Sequence, residues 1–316
     1  MRSRLPRRGT SAAILSSLAL AVAGCSSDAE PAASTSEGAS SAGTAEQISV
    51  VASTDVYGSI AATVGGERVA VTSIIDDPNA DPLEYEATPD DAAAVAGAQV
   101  VILNGNGYDE FMSQLVEAAG DVGTVLDVSE LSGLQPAEGE GEFNEHVWYS
   151  LETVRTLAET LAADLGEASP EDAETFASNA AEFTGQVEAL EEQVAEIASA
   201  SGGARVAVTE PLANYLLDEA GVDNPTPEEF QEAIEEGDDP PAAVLQEMLD
   251  LFGDDPVQAL VLNTQTQSAV TDQVREAAEG ADVAVVEMSE TLTTPDYVEW
   301  MGGQIEALAT ALEAGA

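Results

Sequence analysis

The sequence predicts an α/β protein of two lobes, each built on a mainly parallel sheet, joined by a long helix. Three observations predict it. Short β-branched runs alternate with helical patterns through the first half of the folded region, as in strands linked by crossover helices. The same rhythm restarts near Arg205. Between the halves, Pro170 to Ala200 has no internal proline and carries its apolar residues on one helical face.

The chain opens with Arg2, Arg4, Arg7 and Arg8, followed by the apolar run Ser11 to Ala23. That run is too short to cross a bilayer; a basic start, an apolar middle and small residues before a cut site make a secretory signal. Val22-Ala23-Gly24-Cys25 resembles a bacterial lipobox, and Cys25 is the only cysteine. Residues 1–24 are therefore expected to be removed, leaving Cys25 as a lipidated N-terminus. Two or three acyl chains would hold the protein at the extracytoplasmic face of the cell membrane. Residues 25–47 are rich in Ser, Ala, Gly, Thr and Glu, a composition that buries too little to offset chain entropy and reads as a tether. No thiol then remains for a disulfide or a thiolate metal site, so chemistry falls to oxygen and imidazole.

The N-terminal lobe, residues 48–169, begins with a strand over Ile48–Ala52 and a second over Val69–Ile75. Thr88-Pro89-Asp90-Asp91 reads as a helix start, with a capping hydroxyl, an early proline and acids in the first turn. A helix over Asp90–Ala96 leads to a strand over Gln99–Leu103, then a helix over Asp109–Ala119 and a strand over Thr124–Val128. An amphipathic helix follows from Leu151. The linking helix, residues 170–200, aligns Phe176, Phe183, Val187, Leu190, Val194 and Ile197; about thirty residues make a rod of about 45 Å. The same stripe also fits a dimeric coiled coil. In the C-terminal lobe, residues 201–316, strands are expected over Arg205–Thr209, Ala259–Leu262 and Val283–Val286, with helices over Pro211–Ala220, Thr271–Glu279 and Pro295–Leu312. About 270 residues suffice for one large domain or for two lobes with separate cores.

Charge narrows the function. Sixty Asp+Glu stand against eight Lys+Arg, for a formal net charge of −52. All eight are arginines, and four leave with the signal, so Arg68, Arg155, Arg205 and Arg275 remain. Such a chain cannot displace counterions from a phosphate backbone, which excludes nucleic acid as a partner. It concentrates cations near its surface, although a solvated acidic coat explains the same charge.

Candidate site residues are few. His146 is the only histidine, between a Gly- and Glu-rich loop and a helix, where ligands commonly sit; a lone histidine is also a common satisfied core residue. Glu210 follows one strand and Glu290 another, at the carboxyl ends where open α/β sheets bind ligands. Asp81-Pro82-Leu83-Glu84-Tyr85-Glu86 forms a turn after the second strand. Each carboxylate alone reads as one solvated acid among sixty.

Six segments occur in the order DPLEYEATPDD, NGNGYD, EHVWYS, VTEPLANYLLDEAG, LVLNTQT and VVEMSETL. Together they resemble the zinc- and manganese-binding receptor lipoproteins of bacterial ABC importers, in particular their actinobacterial form, over essentially all of Ile48 to Ala316. The resemblance implies two α/β lobes joined by a rigid helix, one divalent cation held in the cleft by four side chains, and docking on a membrane permease. Carried over by motif, His146 is the second ligand, Glu210 the third and Glu290 the last, replacing an aspartate. The first motif departs: the family reads Asp-Pro-His where this chain has Asp81-Pro82-Leu83, and leucine cannot coordinate a metal. Glu84 is the candidate to supply the missing ligand. The family's His-rich loop is replaced by the acidic segment Glu138 to Glu142, which could gather cations or act as spacer.

These readings predict a monomeric receptor that captures zinc or manganese, not an enzyme, and passes it to an ABC permease and its ATPase. One imidazole and two carboxylates suit Mn(II) better than a nitrogen-rich set would, and affinity is expected to fall as pH drops through the imidazole range. The loss of the first histidine keeps open a surface adhesin or cell-envelope module with a degenerate metal site. A metallohydrolase with three ligands and a water is a further reading, though no HExxH spacing appears.

Overall fold

The computed structural model describes residues 47–315 except 79, 84, 135–142 and 202. The signal, Cys25, nearly all of the tether, Glu84 and the acidic segment therefore lie outside the described residues.

The first sheet contains β1 (Ile48–Thr54), β2 (Val69–Ile75), β3 (Val100–Leu103) and β4 (Thr124–Asp127) in the order β2-β1-β3-β4, all parallel. Parallel neighbours need crossovers, supplied by α1 (Asp55–Gly65), α2 (Pro89–Ala96) and α3 (Glu110–Ala119). Thr88 caps α2 in a reciprocal box with Asp91, the arrangement its sequence announces. Helix α1 was not anticipated, because β1 runs into it at Thr54–Asp55 with no intervening loop. After the short α4 (Val128–Ser132), α5 (Leu151–Ala168) and α6 (Ala173–Ala200) cross to the other half.

The second sheet has β5 (Val206–Val208), β6 (Ala259–Asn263) and β7 (Ala284–Met288) in the order β5-β6-β7, also parallel. The helix expected over Pro211–Ala220 divides into a 3₁₀ turn, Pro211–Ala213, and α7 (Asn214–Glu219). Two unforeseen short helices follow, α8 (Glu228–Glu235) and α9 (Ala242–Asp250), each starting just after a proline. Helices α10 (Ala269–Gly280) and α11 (Tyr297–Ala314) complete the lobe.

Helix α6 spans about 42 Å at 1.5 Å per residue, and its stripe of Phe176, Phe183, Val187, Leu190, Val194 and Ile197 is buried. It packs on α5, α1 and α11 of its own chain. The stripe is thus spent inside its own chain, which overturns the expectation of a coiled coil built on it. One continuous apolar cluster runs from β1 and β3 through α1, α5, α6 and α11 to β5, β6 and β7. Smaller clusters fill the outer faces, one under α2 and α3 and one under α8, α9 and α10. The two sheets therefore share a core, and each keeps a smaller cluster of its own on its outer face. Among the described residues, no helix is long and apolar enough to cross a membrane.

All four described arginines are paired with acids: Arg68 with Asp172, Arg155 with Glu188 and Glu191, Arg205 with Asp255, and Arg275 with Glu287. The remaining surface charge is almost wholly negative.

Candidate metal centre

Three parallel strands deliver the polar groups of the C-terminal lobe to one point. Glu210 stands two residues past β5, Glu290 two past β7, and Asn263 ends β6 between them. From the other lobe, β3 leads into the turn Asn104-Gly105-Asn106-Gly107-Tyr108. Gly105 has φ +83°, and a β-carbon there would collide with the Asp127 carboxylate, so only glycine lets the turn bring Tyr108 forward. Asp109 holds the turn by accepting from the Asn104 and Gly105 N–H groups at 2.6 and 2.9 Å.

His146 is oriented by Asn144. The Asn144 amide nitrogen donates to the Pro211 carbonyl at 2.9 Å, which turns its oxygen toward His146. That oxygen accepts from the His146 backbone N–H at 3.0 Å and lies 2.9 Å from Nδ1. Nδ1 therefore carries the ring hydrogen and Nε2 keeps its lone pair, as in a metal-ligating imidazole held by an outer partner. Trp148 packs on the ring at 5.1 Å between centroids.

Ligand atoms of His146, Glu210 and Glu290 all lie within 4.8 Å of one another, and all three residues are buried. Every carboxylate oxygen has a donor. Asn263 bridges the pair, donating from one amide nitrogen to Glu210 Oε1 and, at 2.6 Å, to Glu290 Oε1. Thr266 donates to Glu210 Oε2 at 2.8 Å, and Tyr108 to Glu290 Oε2 at 2.9 Å. Gln265 accepts from the Glu290 backbone N–H at 2.6 Å.

Burial dominates the electrostatics. It raises Glu290 to about 7, against the donors Asn263 and Tyr108. It raises Glu210 well above its ordinary value, with the Glu290 charge adding to the effect. The pair thus retains a proton near neutrality. Burial lowers His146 to about 3, which corrects the expectation that the imidazole range governs binding: the ring is already neutral, and the carboxylates must shed protons. Tyr108 stays protonated, raised by burial and by Glu290.

Glu235, at the end of α8, lies 3.6 Å from His146 Nδ1, and its Oε1 is buried without a hydrogen-bond partner. Burial and neighbouring acids raise it to about 8, so the two face each other uncharged and form no ion pair. Beside it opens a cleft of about 580 Å³, lined by Asp81, Leu83, Glu145, Glu235, Gln265 and Thr266 among others. Leu83 is 41% exposed there and offers the cleft no donor.

Sequence reasoning missed Tyr108, Asn263, Thr266, Gln265 and Glu235. The first four sit in NGNGYD and LVLNTQT, segments that carried resemblance without an assigned role. Glu235 lies in the acidic run Glu228 to Asp239, where nothing distinguishes it.

A model of the zinc-uptake complex component A, a periplasmic family, matches residues 50–311. The chain belongs to this family. A manganese-binding lipoprotein, MntA, of Halalkalibacterium halodurans is 32% identical over 180 residues, covering 56% of this chain and 55% of the relative. MntA of Bacillus subtilis is 31% identical over 208 residues, 64% of each, and the iron-binding protein YfeA of Yersinia pestis is 28% identical over 155 residues, 48% of this chain and 50% of the relative. The chain thus spans about half to two-thirds of the length of the curated relatives it matches. Among solved structures, ZnuA matches at 21% identity with a TM-score of 0.71, covering 84% of this chain and all of that one. The periplasmic zinc-binding protein TroA from Treponema pallidum matches at 17% and 0.73, covering 84% and 99%. These identities speak for the fold: two parallel-sheet lobes with a long helix between them.

Proposed function

We propose that the protein is an extracytoplasmic receptor that captures a divalent cation, zinc or manganese, and passes it to an ABC permease driven by its ATPase. The observation that carries this reading is the buried convergence of His146, Glu210 and Glu290 from separate segments. Their donor set, one imidazole nitrogen and two carboxylates, is suited to Mn(II) and Zn(II). The cation exchanges its water for Nε2 of His146 and for Glu210 and Glu290, and the carboxylate pair releases its shared proton as it enters. Glu84, next to Leu83 in the sequence, is proposed as an auxiliary ligand. Lipid on Cys25 tethers a monomer to the cell membrane through residues 25–47, and the lobes are residues 48–169 and 201–316. Membership of a family of uptake receptors supports capture rather than catalysis, and the metal-binding names of the relatives lend no weight to an adhesin.

The test is native mass spectrometry of the soluble form beginning at Ser26, titrated with Mn(II) and Zn(II), beside His146→Ala. One equivalent bound by the parent and lost in the variant supports the receptor. No stoichiometric binding, or binding indifferent to His146, refutes it.

A further inference from the structure

The Tyr108 hydroxyl reaches Glu290 from the opposite lobe, and the residue is fully buried. Of the six tyrosines, it alone touches a member of the triad. The other five spend their hydroxyls on Asn104, on Asp91 and on backbone carbonyls. Its ring lies 6.0 Å from the imidazole and 4.7 Å from Trp148, between centroids, so packing holds the hydroxyl at Glu290.

Charge balance gives that position a meaning. A buried cation must be nearly neutralised by its ligands. Glu210 and Glu290 balance a divalent ion by themselves. A trivalent ion on the same pair leaves one buried positive charge, which a single phenolate would cancel. Oxygen-rich, anionic donors also favour hard cations over soft ones.

We propose that Tyr108 is a fourth metal ligand, standing in for the donor that Leu83 lacks, and that the set of one imidazole, two carboxylates and one phenolate holds ferric iron. The inference rests on the receptor reading and extends its cargo. As the iron–oxygen bond forms, the phenol O–H breaks and its proton passes to solvent; the iron stays ferric throughout. A bound cation of high charge drives such a deprotonation.

Metal-free protein titrated with ferric nitrilotriacetate is expected to develop visible absorption from phenolate-to-iron charge transfer, saturating at one equivalent. Tyr108→Phe should abolish the band and weaken iron by more than the roughly 10–100-fold typical of an outer-shell partner. Iron bound without the band, a band that survives in Tyr108→Phe, or no iron bound each overturns the proposal. If Tyr108→Phe does not fold, resonance Raman of the parent protein decides: phenolate modes support it and their absence overturns it. A parallel Mn(II) titration separates the two readings. Mn(II) binding without the ferric band removes the phenolate and leaves the receptor standing, and no cation bound removes both.

Discussion

Replacing Glu290 by glutamine should stabilise the metal-free protein at alkaline pH while destroying its capacity to be stabilised by metal. Gln matches Glu in shape, its amide oxygen can accept from Asn263, and its NH₂ can donate to a rotated Tyr108 hydroxyl, so the network of the parent stays satisfied. What changes is ionisation. Glu290 is raised from 4.5 to about 7 by burial. A raised folded-state pKa means a contribution fully present below 4.5 and lost as pH rises through 7. The shift corresponds to about 3 kcal/mol. Glutamine never ionises, so the variant should gain about 3 kcal/mol over the parent at pH 8 and under about 1 kcal/mol at pH 5. For a chain of this size that is roughly 5–10 °C in melting temperature at pH 8. Mn(II) or Zn(II) at a thousand times its Kd should reverse the order, since it adds about 4.1 kcal/mol to the parent alone. The assay is thermal denaturation of chelator-treated protein from pH 5 to 8, with and without metal. Equal melting of the two proteins at pH 8 without metal, or a gain independent of pH, would refute the reasoning.

Other outcomes follow from the same geometry. The single imidazole makes ¹H NMR unambiguous: its Cε1–H resonance should not titrate between pH 8 and 4.5, because burial holds His146 at about 3, and a midpoint near 6.5 would refute this. The same depressed pKa removes stability from the metal-free protein as pH falls below 6.5. Asn263→Ala strips a donor from both carboxylates and should cost about 2–4 kcal/mol at pH 7.5 without metal, measured by urea denaturation; a loss under about 1 kcal/mol would count against the bridge. Leu83→His adds a nitrogen donor at the lip of the cleft where the parent side chain is exposed, and should tighten Zn(II) at least about tenfold, or 1.4 kcal/mol, by competition titration.

The fold was legible wherever a local pattern carried it. Strands β1, β3, β5 and β6 read from apolar runs because they are buried on both faces, β2, β4 and β7 read from their β-branched residues, and α6 read from a stripe that nothing interrupts. Helix α1 was hidden because its apolar residues continue those of β1, and α8 and α9 because few residues carry their periodicity. At the site, Glu210 and Glu290 could be placed by their position after strands, and His146 by being single. Asn263 and Tyr108 could not be assigned roles, because a hydrogen bond between residues 182 positions apart, as from Tyr108 to Glu290, leaves no trace in local spacing. Burial was equally invisible. Sixty acids made each glutamate look solvated, and only the folded chain separates the few that are not.

The site lies on a seam that is closed twice. The shared apolar core joins the lobes through α1, α5, α6 and α11, and polar bonds cross near the triad: Tyr108 to Glu290, Tyr149 to the Ser289 carbonyl, Tyr297 to the Trp148 carbonyl, and the Leu292 N–H to Asp55. Wide opening of the lobes would have to expose that core and break these bonds together, at a cost comparable to the whole stability of a domain. On the proposed reading, exchange of a cation would be a local event at the Leu83 and Glu235 side, where the cleft already reaches Thr266 and Gln265. The carboxylate pair then does the balancing. It would accept a proton when the cation leaves and give it up when the cation arrives, so the buried centre would never hold two bare negative charges. A lobe-locked scaffold could, on the proposed reading, capture and release metal on those terms without a hinge.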